Sequence, residues 1–199
     1  VFCMKLNEIA SINAGHQFRG RIQEKPGTGM FAVQMKNISP NQTVNWISCS
    51  ETEPAGKREP NWLKPGDVLF AARGNNNYAV LIDETIGGLR AVAAPHFFVL
   101  RSKTSQLRPG FLAWLLNRPP SQHYFQREAE GTLTKSIRRS VLGATPVVLP
   151  PQDKQDTIIN LANAINKKEQ LMEQLVRNGE TLMNGIANDL LQEPGVNAQ

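Results

Sequence analysis

A chain of 199 residues with 40% hydrophobic and 20% charged side chains can bury one sizeable core, which excludes a disordered polymer. Its longest apolar stretches, Ala91–Leu100 and Val141–Leu149, are interrupted and fall well short of the roughly 20 residues that cross a bilayer, so no membrane partner is expected. Cys3 and Cys49 are too few and too far apart for a disulfide framework or a zinc cluster, and with no secretion signal they point to the cytoplasm. The net charge of +5 is unevenly spread: residues 1–151 hold 18 basic against 10 acidic groups, a balance of +8, and residues 152–199 hold 4 against 7, a balance of −3. A basic body joined to an acidic segment suggests that the body meets a polyanion and the remainder meets something else.

In chain order, short β-branched or aromatic runs separated by Gly, Pro and Asn predict strands at Phe31–Met35, Val44–Ile47, Val68–Ala71, Tyr78–Ile82 and Phe97–Arg101. Lys64-Pro65-Gly66-Asp67 predicts a turn before the third of these. Phe111, Leu112, Leu115 and Leu116 share one helical face, and Asn117-Arg118-Pro119-Pro120 predicts that helix's stop. Residues 131–140 read as a polar, basic loop, and residues 144–151 as a last extended segment closed by Pro150-Pro151.

Beyond the double proline, Ile158, Leu161, Ile165, Met172, Leu175, Leu182, Ile186 and Leu190 recur at intervals of three, four or seven. Helical over Asp153–Leu191, this segment is about 60 Å long at ~1.5 Å per residue. A stripe of that length calls for a second helix. Lys168 and Gly179 interrupt the seam, so it is no uniform zipper, and Gly179 marks either a kink or partner contact, or merely a weakened turn. The expected fold class is α+β: a mainly β domain with a few short helices over residues 1–151, a long coiled-coil-like helix over 152–192, and a frayed tail over 193–199.

Motifs of catalysis are weak. Gly27-Thr28-Gly29-Met30-Phe31-Ala32 matches a dinucleotide-binding glycine pattern, but no apolar strand precedes it and β-type residues follow, so a turn is expected. Asn117-Arg-Pro-Pro120 departs from the Asn-Pro-Pro-aromatic motif of amino methyltransferases by an inserted arginine and by Ser121 in the aromatic's place. His16, His96 and His123 lie far apart, with no nucleophile motif. No catalytic residue, metal or cofactor is expected.

Groups suited to nucleic acid recur instead. Arg73-Gly-Asn75-Asn76-Asn77-Tyr78 supplies a guanidinium, three amides and a phenol, groups that pair with base edges; a plain turn is the alternative. Thr132-Leu-Thr-Lys135-Ser-Ile-Arg138-Arg139 sets hydroxyls beside cations, a composition suited to phosphates or to a solvated loop. His16, Arg19 and Arg21 form a third cluster, and Gln34, Lys36 and Asn37 a fourth.

Further landmarks stand in order along the chain: Leu6–Gly15; Val33-Gln34 with Asn37-Ile38; Leu63–Phe70 leading to Ala72-Arg73-Gly74; His96–Arg101; Leu107–Leu112; Gly131-Thr132 with Lys135–Ile137; and Val147–Pro151 with Gln155. Read together, they resemble a type I restriction-modification DNA specificity subunit. The resemblance spans nearly the whole chain. It implies a target-recognition domain that reads one half of a bipartite site in double-stranded DNA, and a helix that sets the distance to a second domain. It further implies assembly with methyltransferase subunits, which carry out the DNA methylation, and with a restriction subunit.

The family pattern has two recognition domains and two helices, whereas this sequence has one of each. A half-subunit that homodimerises through its helix would restore that pattern; a piece of a longer chain is the other explanation. Two functions of other classes remain open at this point: the recognition end of a fused methyltransferase-nuclease, and a basic coiled-coil protein that binds RNA or an acidic protein.

Overall fold

The computed structural model describes residues 3–53, 59–74, 76–131 and 135–192, which form two compact units dividing between Ile159 and Asn160. The first unit opens with β1 (Cys3–Lys5), α1 (Leu6–Ile9), β2 (Ala10–Ala14), β3 (Met30–Val33) and β4 (Ser50–Glu51). It continues through β5 (Val68–Ala71), β6 (Ala79–Leu81), β7 (Arg90–Ala93), β8 (Phe97–Ser102), α2 (Pro109–Asn117), α3 (Pro119–Glu128), α4 (Arg139–Gly143) and β9 (Pro146–Val148). Helix α5 (Gln152–Gln192) begins in this unit and makes up the described part of the second. The class is α+β, as expected.

Three sheets order the first unit: an antiparallel sheet β2-β8-β5-β6, a sheet β4-β3-β7 in which β3 and β7 run parallel, and a ribbon pairing β1 with β9. All four residues of β5 are buried because its sheet is covered on both faces, which is why this strand reads as an unbroken apolar run. Val68, Phe70 and Leu100 face a core shared with Phe111, Leu112, Leu116, Phe125 and Leu142 of the helices. Phe70 meets Phe125 edge to face, with ring centroids 4.9 Å apart. Leu69, Ala71 and Val99 face the opposite way, into a second core with Val33, Ala91 and Ala93 of the three-stranded sheet.

Lys64–Asp67 forms the expected turn, with Asp67 N–H donating to the Lys64 carbonyl at 3.0 Å and Gly66 taking a φ of 88°. The turn delivers Asp67, 3% exposed, to Arg101, which holds both its carboxylate oxygens at 2.7 and 2.8 Å. Arg101 also donates to Asn61 Oδ1 and the Trp62 carbonyl, so the pair is embedded in further hydrogen bonds.

Four sequence expectations need correction. Val44–Ile47 is no strand: Val44 makes one bridge to Ile38, and Asn45 caps a 3₁₀ turn over Trp46–Ser48 by accepting from Ser48 N–H. Pro119 and Pro120 end α2 as expected but also begin α3, because proline lacks only an N–H that a first helical turn leaves unpaired anyway. Within the basic stretch 131–140, Ser136 bridges to both Arg73 and Glu130, and α4 starts at Arg139. The first turns of α5 belong to the compact body: Ile158 and Ile159 pack on its core, and Gln155 is completely buried.

In the second unit, Leu161, Ile165, Met172, Leu175, Leu182 and Ile186 are exposed along α5, together with Leu171, Val176, Met183, Leu190 and Leu191. Gly179 lies in this helix with open space where a side chain would be.

Candidate nucleic-acid interface

Where β2 ends, Gly15 crosses so close to β7 that a Cβ would stand 2.2 Å from the Ala94 carbonyl oxygen. Its N–H donates to Phe97 and that of His16 to Ala93, at 2.9 and 2.7 Å. From this anchor the segment carrying exposed Arg19 and Arg21 emerges. Both arginines line a groove of about 310 Å³ with Phe18, Gln23, Lys25 and Glu53. Arg21 also lines an adjoining groove of about 510 Å³ with Gln34 and Lys36. The structure therefore brings Arg19, Arg21, Gln34 and Lys36 onto one surface, where Lys25 is paired with Glu53.

Asn37 is not part of that surface. It is 1% exposed: its side-chain Oδ1 accepts from Gln34 N–H at 2.8 Å, and its Nδ2 donates to the Ser48 carbonyl at 2.6 Å. Those bonds tie the 3₁₀ turn Met35–Asn37 to the following loop, so the residue holds Lys36 in place from below.

A second group forms around the Arg73–Ser136 bridge. Gly74 N–H donates to the Lys135 carbonyl and Ile137 N–H to that of Ala72, which sets Lys135 beside the Arg73 backbone. Gly74, with a φ of 126°, has Met35 Cε only 2.9 Å from where its Cβ would stand, so this ladder abuts the turn that carries Lys36. Arg138 is paired with Glu130 at 2.5 Å, which offsets part of its charge, and Arg139 is exposed at the first position of α4. Asn75, Thr132 and Thr134 lie outside the described residues.

Asn76, Asn77 and Tyr78 line a third groove, of about 490 Å³, with Ile38, Ser39, Pro40, Gln42, Asn117 and Gln122. Asn77 spends one amide hydrogen on the Ala71 carbonyl, which fixes its plane. Burial pushes the Tyr78 phenol up from its usual range, keeping it protonated and able to donate. Gln42, Asn117 and Gln122 were not singled out from the sequence, because Gln42 fell between predicted strands and Asn117 read as a helix stop; spacing carries no signal for amides that meet only after folding.

These grooves offer cations, amides and one phenol, groups that bind phosphates and base edges. Among the described residues, no three His, Cys, Asp or Glu side chains are placed to share a metal ion. His96 and His123 are exposed, while His16 is half-buried against Phe18, and burial lowers its pKa.

No protein-family model matches the chain, and no curated protein sequence does. Solved structures do. A structure concerned with complex assembly and conformational transition of the type I R-M system superposes with a TM-score of 0.67 at 17% identity, covering 96% of this chain and 45% of that one. The type I restriction-modification S subunit from M. genitalium gives 0.60 at 15% identity, covering 96% and 46%. The HsdS subunit from Thermoanaerobacter tengcongensis gives 0.60 at 18%, covering 87% and 39%. This chain thus spans less than half the length of each of these three structures, and over that span its fold is that of type I restriction-modification specificity subunits.

Proposed function

We propose that this chain is a sequence-specific DNA-binding part of a specificity subunit of a type I restriction-modification system, without catalysis of its own. The observation that carries the reading is the structural match: 96% of this chain superposes on a type I R-M system structure with a TM-score of 0.67. One recognition body and one helix would then read one half of a bipartite DNA site and dock methyltransferase subunits, with the restriction subunit as a further partner in the cytoplasm. Arg19, Arg21, Lys36, Lys135, Arg138 and Arg139 would meet phosphates, while Gln34, Arg73 and residues 75–78 would face base edges.

The apolar positions of α5 support a homodimer. Leu161, Ile165, Met172, Leu175, Leu182 and Ile186 stay exposed within their unit, and pairing them antiparallel with a second copy buries them and places two bodies on an inverted-repeat site. Ile158 takes no part in this seam because it packs on the body's core. Sedimentation at micromolar concentration, with and without methyltransferase, should show the dimer, and duplex selection should return an inverted repeat. A monomer in both conditions removes the dimer; a chain indifferent to duplex sequence removes the recognition function.

A further inference from the structure

Gln42 is the only residue other than glycine with a positive φ, 57°, among the described residues. It sits in a tight loop: Gln42 N–H donates to the Ser39 carbonyl and Ser39 N–H to that of Thr43, both at 2.9 Å, while Ile38 and Val44 bridge behind them. A loop of this kind favours glycine at that position, because a Cβ is disfavoured in the left-handed region. The backbone alone gives no reason for a glutamine, so the side chain is the place to look.

Its amide is aimed by a relay. Asn117 Oδ1 accepts from Ala79 N–H at 2.8 Å, and Asn117 Nδ2 donates to the Ala79 carbonyl at 2.8 Å. An N–H only donates and a carbonyl only accepts, so these two bonds give the Asn117 amide a single orientation. The same Nδ2 donates to Gln42 at 2.6 Å, and the atom it meets must be the acceptor Oε1. Gln42 therefore spends its carbonyl inward and keeps both Nε2 hydrogens for the groove it shares with Asn76, Asn77 and Tyr78.

We propose that Gln42 is a base-reading residue for an acceptor-bearing major-groove edge, guanine or thymine, and that Asn117 is the positioning residue that makes it so. The usual glutamine pairing with adenine draws on Oε1 as well as Nε2; here Asn117 takes one of the two Oε1 lone pairs and holds that oxygen toward itself, which favours contacts made through Nε2 alone. Guanine presents O6 and N7, and thymine O4, all acceptors. The inference rests on the DNA-reading function proposed above.

The test is selection of duplexes from a randomised pool by the full chain, for the wild type, Gln42→Gly and Asn117→Asp. Gln42→Gly relieves the loop and removes the donor, so it should keep or raise the melting temperature while weakening preference at one position by roughly five- to a hundredfold. In Asn117→Asp the carboxylate can donate neither to the Ala79 carbonyl nor to Gln42, so a Gln42 amide that stays bonded to it must turn over to donate; preference at that same position should move to adenine or cytosine. If the wild type selects a site and Gln42→Gly selects it with equal strength at every position, the role of Gln42 is overturned while DNA reading stands. An Asn117→Asp profile identical to wild type removes the positioning role, and a wild type with no preference overturns this inference together with the reading beneath it.

Discussion

The side-chain oxygen of Gln155 accepts from the backbone N–H of Arg108 at 2.9 Å, and its Nε2 donates to the carbonyls of Gln106 and Pro150, each at 2.8 Å. A fully buried amide thus satisfies three main-chain groups that α5 and the loop before α2 would otherwise leave unpaired. Gln155→Ala should cost roughly 2–4 kcal/mol, since it removes three hydrogen bonds and strands their partners. Urea unfolding of the two proteins checks this. A loss under half a kcal/mol would mean that water replaces the side chain.

The Arg101–Asp67 pair should behave asymmetrically. Arg101→Leu leaves a carboxylate at 3% exposure with only Lys64 N–H beside it, a loss of roughly 2–4 kcal/mol. Asp67→Asn keeps an acceptor for Lys64 and leaves the unpaired charge on Arg101, whose side chain is 32% exposed against 4% for Asp67, so it should cost less. Denaturation midpoints in the opposite order would refute the account.

Burial pushes the Cys49 thiol up to about 11, against 9.0 for a free thiol, with Lys36 opposing weakly. At pH 8 its thiolate fraction is about a hundredfold below that of an unperturbed thiol. In a Cys3→Ser background, iodoacetamide should label the native protein about a hundredfold more slowly than the urea-unfolded chain. Equal rates would show that Cys49 is accessible and ionised.

Because burial lowers the His16 pKa, the folded state holds fewer protons than the unfolded chain between that lowered value and about pH 6.5. The stability associated with neutral His16 is complete above that pH and is lost as pH falls through the lowered folded value. The stability difference between wild type and His16→Asn should therefore shrink or reverse on acidification from pH 7.5 to 5.5. A constant difference across that window would count against the assignment.

If the basic grooves hold phosphates, Arg21→Ala should weaken binding to all duplexes alike and reduce the slope of log affinity against log salt by about 1. Asn76→Ala should spare that slope and relax preference at one base. Titrations at several salt concentrations separate the two effects. Identical behaviour of the variants would remove the division of labour.

The sequence shows most where one face of an element decides its burial. β5 and the stop of α2 were legible because an apolar run and a double proline act locally, and α5 because its stripe repeats over many turns. β2 and β7 escaped as separate strands because their pairing partners are distant in sequence, β8 for one and β3 for the other. Helix α3 escaped because it buries only Ser121 and Phe125, too little for a periodic signal. At the candidate site, residue types pointed to the Arg19–Lys36 surface and to Asn76–Tyr78, but the burial of Asn37 and the Gln42–Asn117 relay depend on contacts that only tertiary structure creates.

The ribbon that pairs Cys3–Lys5 with Pro146–Val148 has a consequence for how such bodies can be joined. It places the entry strand of the body next to the strand that leads into α5, so the body's chain enters and leaves along one edge. A body with that topology is a cassette: Cys3, where β1 begins, is paired with Val148, where β9 ends. A graft made there needs to match only one two-stranded seam, and exchanging the cassette would exchange the surface it presents while leaving the joined segments in place.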